Sequence, residues 1–413
     1  MGGITPAELA AIGDRLEGFA DEVFASLPRT DQRARGECYL RGLLLEGRRK
    51  SIQPMAERLG EVHYQALHHF VAASPWDWRP VRRRLAELVC QAIQPTAWVV
   101  DDTGLPKDGD HSVGVQRQYS GTLGKRANCQ LGVSVSAVCE HASCPLDWRL
   151  FVPESWDDDA PATKQRRAAC HLPGRVHHRP KWQLALDMLD ELGGWGLWPR
   201  VLVADCGYGE VGSFRAGLDQ RQVPYVVQVK ADTSVYPQQA RPERLADTGR
   251  GQPSKPRYRQ PRTQVKQLVL AAGPQAGIDL VWRRGSRGLQ RSRFVALRVR
   301  PAGVVPRRQA VHAPDRQLPV RWLLVEWPAG QAEPVTYWLS SLPADTPIVE
   351  LVRLGKLRWR IEQDYRELKG ALGLDHFEGR GWPGWHHHVT LVWVAHGFLT
   401  LERLRRPKPA ASA

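Results

Sequence analysis

Three side chains on one short stretch have the types and spacing to handle a phosphate. Arg358, Glu362 and Lys369 stand four and seven residues apart, offsets that bring side chains to one face of a helix. Beside them run Leu354, Leu357, Ile361, Tyr365, Leu368 and Leu372, an apolar stripe that predicts a single amphipathic helix. The charged trio then lies at the rim of a core. A carboxylate flanked by two cations there can hold a metal ion and a phosphate, and a solvated face with one Arg–Glu pair has the same spacing. Asp364 and Glu367 are alternative acids on the same helix, and Glu362 is preferred because Arg358 and Lys369 share its face.

Two aspartates upstream favour the chemical reading. Ala97-Trp98-Val99-Val100-Asp101-Asp102 and Val201-Leu202-Val203-Ala204-Asp205 each read as a short buried strand ending in an acid. Open α/β sheets place their chemistry where strand ends meet loops. Three carboxylates presented this way can bind two divalent cations about 3.5–4 Å apart. Mg²⁺ (or Mn²⁺) suits such a site, because it takes a few carboxylates together with phosphate and water oxygens. One ion would acidify an attacking water or 3′-hydroxyl and the other would stabilise the leaving oxygen of an in-line displacement.

The elements that must position these acids follow from periodicity. Residues from Thr5 to Ile93 read as helical, with Leu16, Phe19, Val23 and Leu27 marking one face. Within them, Ser51–Gly60 and Val62–Phe70 have the length and the turn glycine of a helix-turn-helix, or of an ordinary helical hairpin. Arg48, Arg49, Lys50 and Arg82–Arg84 surround this pair and favour its use against DNA. Strands are expected at Ala97–Asp102, Asn128–Val138, Pro145–Val152, Val201–Asp205 and Tyr225–Val229, with helices at Lys181–Leu192 and Phe214–Leu218 and a loop over Glu154–Arg179. That order is the layout of an α/β, RNase H-like sheet. Pro237–Gln264 reads as a basic loop, and Val265–Ala271, Leu280–Trp282, Phe294–Arg300, Trp322–Trp327 and Val335–Leu339 as strands of a mainly β insertion. Thr346 and Pro347 supply an N-cap and an N1 proline for the acid-bearing helix. A turn over Gly379–His388, with His386–His388 as a polar helix start near DNA, leads to a closing helix over Val389–Leu404. The expected division is 1–95 helical and DNA-binding, 96–236 and 341–405 the two parts of the catalytic core, 237–340 the insertion, and 406–413 a disordered tail.

The chain has 413 residues, and 58 Lys plus Arg against 43 Asp plus Glu leave it at +15. A polyanionic partner, most simply nucleic acid, fits that balance. Seven scattered cysteines argue for free thiols in a reducing cytoplasm. No signal-peptide pattern opens the sequence, and the apolar run near Val389–Leu399 is far short of a membrane span. A cytoplasmic, nucleoid-associated protein is expected.

Six stretches in order resemble the DDE transposases of bacterial insertion sequences. They are Val100–Lys107, Gln116–Gly121, Ala127–Gln130, Ala204–Gly209, Arg358–Gln363 and Gly373–Arg380. The branch is the IS-four-like group, and within it the IS-seven-hundred-and-one type. The resemblance implies an RNase H-like (retroviral-integrase-like) core interrupted by a β insertion, and metal-dependent cleavage and transfer of DNA strands. It makes Asp102, by its Asp-Thr pattern, the first catalytic acid, Asp205 the second and Glu362 the third. The group's last motif, Tyr-x2-Arg-x3-Glu-x6-Lys, is matched by Arg358, Glu362 and Lys369, while its Tyr position holds Gly355. The partners implied are terminal inverted repeats and target DNA, held by a homodimer, with Arg358, Lys369, Arg366, Lys107, Arg48, Arg49 and Lys50 as candidate DNA contacts. A metal-dependent nuclease on the same fold and a catalytically silent DNA-binding regulator are the alternatives.

Overall fold

The computed structural model describes residues 5–60, 63–120, 124–244, 256–285, 288–313 and 315–405. The first elements are helices α1 (Pro6–Val23), α2 (Thr30–Leu44), α3 (Ile52–Leu59), α4 (Tyr64–Ala72) and α5 (Trp78–Ile93). Strands β1 (Ala97–Pro106), β2 (Gln116–Ser120), β3 (Lys125–Val138) and β4 (Ser143–Phe151) follow, then α6 (Pro161–Ala169) and α7 (Lys181–Gly194). Next come β5 (Leu202–Ala204), α8 (Cys206–Gly209), α9 (Gly212–Gln220), β6 (Tyr225–Val229), β7 (Ser234–Pro237), β8 (Thr263–Gln264) and α10 (Val265–Ala272). The remainder comprises β9 (Gly277–Gly285), β10 (Gly288–Pro301), α11 (Val304–His312), β11 (Arg321–Glu326), β12 (Thr336–Ser340), α12 (Ile348–Lys356), α13 (Trp359–Gly370) and α14 (Trp382–Arg405). The chain divides into two compact units, one of Met1–Thr96, Val100–Trp198 and Trp359–Ala413, the other of Ala97–Val99 and Pro199–Arg358.

In the first unit the N-terminal helices are locally encoded. Thr5 and Glu8 form a reciprocal capping box that opens α1. Asp77 caps α5 by accepting from Arg79 N at 3.0 Å, and Gly60 ends α3 at φ +73°. Helices α1, α2, α4 and α5 and strand β4 pack around α14. That explains why α14 is buried nearly all round rather than along one stripe. The long strand β3 pairs antiparallel with β2 through Gln116↔Cys129 and with β4 through Leu131↔Phe151. It is also the neighbour of β1.

In the second unit the strand order is β5-β6-β12-β11-β10-β7-β8, with β9 on β10. β5 and β6 are parallel, joined by the crossover α8–α9, and β12 lies antiparallel to β6 through Leu339↔Val227. The start of β1 belongs here too, where Trp98 N donates to Val201 O at 2.9 Å. Helix α12 ends on Lys356, whose ammonium donates to Glu326 at 2.5 Å and lies 4.8 Å from the Trp282 ring centre and 5.6 Å from that of Trp338. The Phe294 ring centre lies 5.8 Å away, so the charge is held by a carboxylate and by three ring faces at once.

Several expectations need correction. The stretch Val265–Ala271 is helix α10, not a strand. Its buried residues are Val265 and Val269, four apart, a helical spacing that a short apolar run conceals. Glu154–Arg179 contains α6, and a further strand, β2, forms between the strands expected at Ala97–Asp102 and Asn128–Val138. The closing helix begins at Trp382 instead of Val389, so His386, His387 and His388 are interior helix residues at 2%, 1% and 1% exposure. The single amphipathic helix is two, α12 and α13, and the boundary between the units falls in the break, after Arg358. Thr346 does not cap α12, because Pro347 occupies the N-cap position without a side-chain bond. Residues 245–255 of the basic loop and the tail 406–413 lie outside the described residues.

Candidate active site

Asp102 lies inside β1 and not at its end, since the strand continues to Pro106. Its neighbour Asp101 points the other way, as successive strand residues must, and is 8% exposed with Oδ1 accepting from Asp102 N at 2.8 Å. Asp102 is the more open of the two, and its Oδ2 meets the ammonium of Lys181 at 2.7 Å. Lys181 is the first residue of α7.

Asp205, in the second unit, directly follows β5 and caps α8. Its Oδ1 accepts from Gly207 N at 2.9 Å and from Tyr208 N at 3.4 Å, which fixes the carboxylate's direction. The adjacent Cys206 thiol is pushed up to about 11, chiefly by burial and then by Glu210 and Asp205. It is therefore a poor nucleophile. Gly209 closes the turn, where any Cβ would collide with the Gln228 carbonyl.

Glu362 occupies the first turn of α13 with an exposed side chain. The two other acids of this helix are committed elsewhere. Asp364 is 8% exposed, and burial pushes its carboxyl up to about 7 against the opposing Ser143 hydrogen bond. Glu367 accepts from Arg403 at 2.8 Å. α13 is tied to the strand of Asp102 by Lys369, which donates to Gly104 O at 2.8 Å. Tyr365 adds a 2.8 Å bond to Ser134 on β3.

The candidate DNA contacts separate into two groups. Arg48, Arg49 and Arg366 are exposed, with Arg49 paired to Glu378. Lys50 is 3% exposed and donates to Leu43 O at 2.8 Å and to Leu45 O. It is therefore spent on the carbonyls that α2 leaves open at its C-terminus. Lys107 is similarly turned inward, donating to Phe377 O. Arg82 is 2% exposed and hydrogen-bonded within the core, which removes it from any DNA-facing surface. Arg358 is half-buried in the turn between α12 and α13.

Among the described residues no group of three or more His, Cys, Asp or Glu side chains stands close enough to hold a metal ion. Asp102 and Glu362 belong to the first unit and Asp205 to the second. The donor chemistry nevertheless suits a hard divalent cation. At Asp102 a cation already faces the carboxylate, in the form of the Lys181 ammonium. The sequence reading missed Lys181, because its pairing with Asp102 spans 79 residues and leaves no local spacing signal.

A family model described as DDE superfamily endonuclease matches residues 22–289. That span contains Asp102 and Asp205 and stops short of Glu362. A protein of Microchaete diplosiphon named as a probable transposase for insertion sequence element IS701 is 29% identical over 194 residues, 46% of this chain and 47% of that protein. The similarity thus spans about half the length of that relative. No described helix is long and apolar enough to cross a membrane.

Proposed function

Because the chain belongs to the DDE superfamily endonuclease family, we propose that it is a DNA transposase whose active centre is formed by Asp102, Asp205 and Glu362. The observation that carries this reading is the family match across Asp102 and Asp205, joined to a relative named as a transposase. The state of the other acids supports it, since Asp101 and Asp364 are buried and Glu367 is paired. The three carboxylates would hold Mg²⁺ or Mn²⁺, two ions in all. When bound, these supply Lewis-acid stabilisation of phosphoryl oxygens and acidify the attacking water or 3′-hydroxyl.

The chain's own residues hold the remaining roles. The backbone N–H groups of Gly207 and Tyr208 orient Asp205, and Lys369 keeps α13 against β1. Arg48, Arg49 and Arg366 offer exposed guanidiniums to the phosphates of element ends and target. A homodimer would bring two ends together.

With Mg²⁺ and DNA carrying the element's terminal repeats, the purified protein is expected to cut at the repeat ends and join them to a target plasmid. Asp205→Asn is expected to bind the repeats and leave them uncut, and cutting at the wild-type rate would remove Asp205 from the centre. The endonuclease description of the family favours a second reading, a nuclease that cuts without joining. Pre-cleaved ends supplied with a target plasmid separate the two, because only a transposase yields strand-transfer products.

A further inference from the structure

We propose that Lys181 is a placeholder cation for Asp102, positioning its carboxylate until a divalent ion displaces the ammonium, and so sets the ion affinity of the site. The inference deepens the reading above and rests on Asp102 being a metal-binding carboxylate. Its ground is the ion pair itself. Lys181 Nζ stands 2.7 Å from Asp102 Oδ2, with the lysine side chain 37% exposed and the aspartate 20%.

Three features point to exchange and not to structural glue. A pair this open to water adds little to stability, so the fold does not depend on it. Lys181 is also the first residue of α7, which is anchored four and more residues further on by Ala185, Leu186, Met188, Leu189 and Leu192. The long side chain can therefore swing while the helix stays in place. Finally, β1 holds Asp102 by its ladder, and the Asp101 carboxylate accepts from its N–H. The Asp102 backbone thus stays in place when the ammonium leaves, and the direction of its carboxylate passes from the lysine to the ion. An ammonium and a divalent ion compete for the same oxygen, so binding one requires releasing the other. Lys181 acts through Asp102 and is a positioning residue.

The test is calorimetric titration of the full-length protein, free of DNA, with Mn²⁺ alone. Wild type, Lys181→Met, Lys181→Arg and Asp102→Asn are compared, with a urea midpoint for each. Lys181→Met is expected to bind Mn²⁺ up to about fivefold tighter than wild type, the upper worth of an exposed ion pair that the ion no longer has to displace. Lys181→Arg restores the wild-type affinity and Asp102→Asn abolishes binding. A structural ion pair gives the opposite sign, with Lys181→Met less stable and no tighter for Mn²⁺. If Lys181→Met matches wild type while Asp102→Asn loses the ion, the placeholder role is overturned and the metal site stands. If Asp102→Asn binds Mn²⁺ as wild type does, the assignment of Asp102 falls, and the placeholder with it.

Discussion

Arg82 spends its guanidinium wholly inside the protein. Nε donates to Thr390 Oγ1 at 3.1 Å, Nη1 to Asp147 Oδ1 at 3.1 Å and Trp148 O at 2.9 Å, and Nη2 to His386 Nδ1 at 3.0 Å. It thereby joins α5, β4 and α14. Arg82→Ala is expected to cost about 3–5 kcal/mol, because the partners are left buried and unpaired. A urea midpoint unchanged from wild type would contradict this account. Arg149 approaches Asp147 Oδ2 at 2.5 Å without hydrogen-bond geometry, which puts the cost toward the lower end. The run Arg82-Arg83-Arg84 looks like a basic surface when read by composition, yet Arg82, Leu85, Ala86, Val89 and Ile93 share the buried face of α5. Helical phase places Arg82 on the internal face, against the expectation that it serves a DNA-facing surface. Its acid partner, 65 residues away, could not be found that way. The same limit separates the candidate acids, whose strand and helix contexts were local, from Lys181, whose meaning lies in a long-range contact.

Elements fix where the acids point, and two glycines show how tightly. At Gly209 a methyl group would strike the backbone carbonyl of Gln228 on β6, and backbone cannot turn aside as a side chain can. Gly209→Ala is expected to destabilise by about 2–3 kcal/mol and, on the proposed function, to lose DNA cleavage by shifting the α8 turn that Asp205 caps. Full cleavage activity in that variant would show that Asp205 does not depend on the turn. At Gly355 a Cβ would lie 3.3 Å from the Trp338 ring, and that ring is 4% exposed and faces the Lys356 ammonium. Alanine gains about 1 kcal/mol of helix propensity over glycine, and the crowding of a locked ring costs about 1–3 kcal/mol. Gly355→Ala is therefore expected to be destabilised by about 1 kcal/mol net, and a raised urea midpoint would mean Trp338 can give way. A tyrosine here, as in the pattern the sequence resembles, would have to displace the Trp338 ring. The strands of both units were mostly legible from alternation and apolar runs. The split between α12 and α13 was not, because a short break leaves the apolar stripe nearly in phase across Leu354, Leu357 and Ile361. The strand assigned over Val265–Ala271 failed for the complementary reason: eight residues are too few for period to distinguish a helix from a strand.

Across the whole molecule, the +15 charge and the histidines act at different ends of the pH scale. Acidification adds charge to a protein already repelling itself, and four buried rings oppose it most; one of them, His387, is pulled down to about 4 by burial. His388 accepts from the Tyr39 hydroxyl and donates to Gly373 O, each at 3.0 Å, and is pulled down to about 3 by burial. His396 has neither ring nitrogen hydrogen-bonded and burial pulls it to about 4. His386, against Arg82, is driven well below the ordinary value by burial first and by that cation second. Each ring stays neutral when folded and takes a proton near pH 6.5 when unfolded. Each therefore subtracts about 1.4 kcal/mol per pH unit as pH falls below 6.5, until its folded value is reached. Asp364 runs the opposite way. Its carboxyl, raised to about 7 by burial, gains a proton in the folded state first, so it adds stability by the same slope between pH 7 and about 4. Four losses against one gain leave a net fall of about 4 kcal/mol per pH unit between pH 6.5 and 4. The urea midpoint is thus expected to be nearly level from pH 8 to 7 and to drop steeply from pH 6 to 5. His396→Leu, which removes one of the four rings from the balance, is expected to cut that net slope by about a third. A midpoint that holds or rises on acidification would mean that these rings are protonated in the folded protein, against their burial.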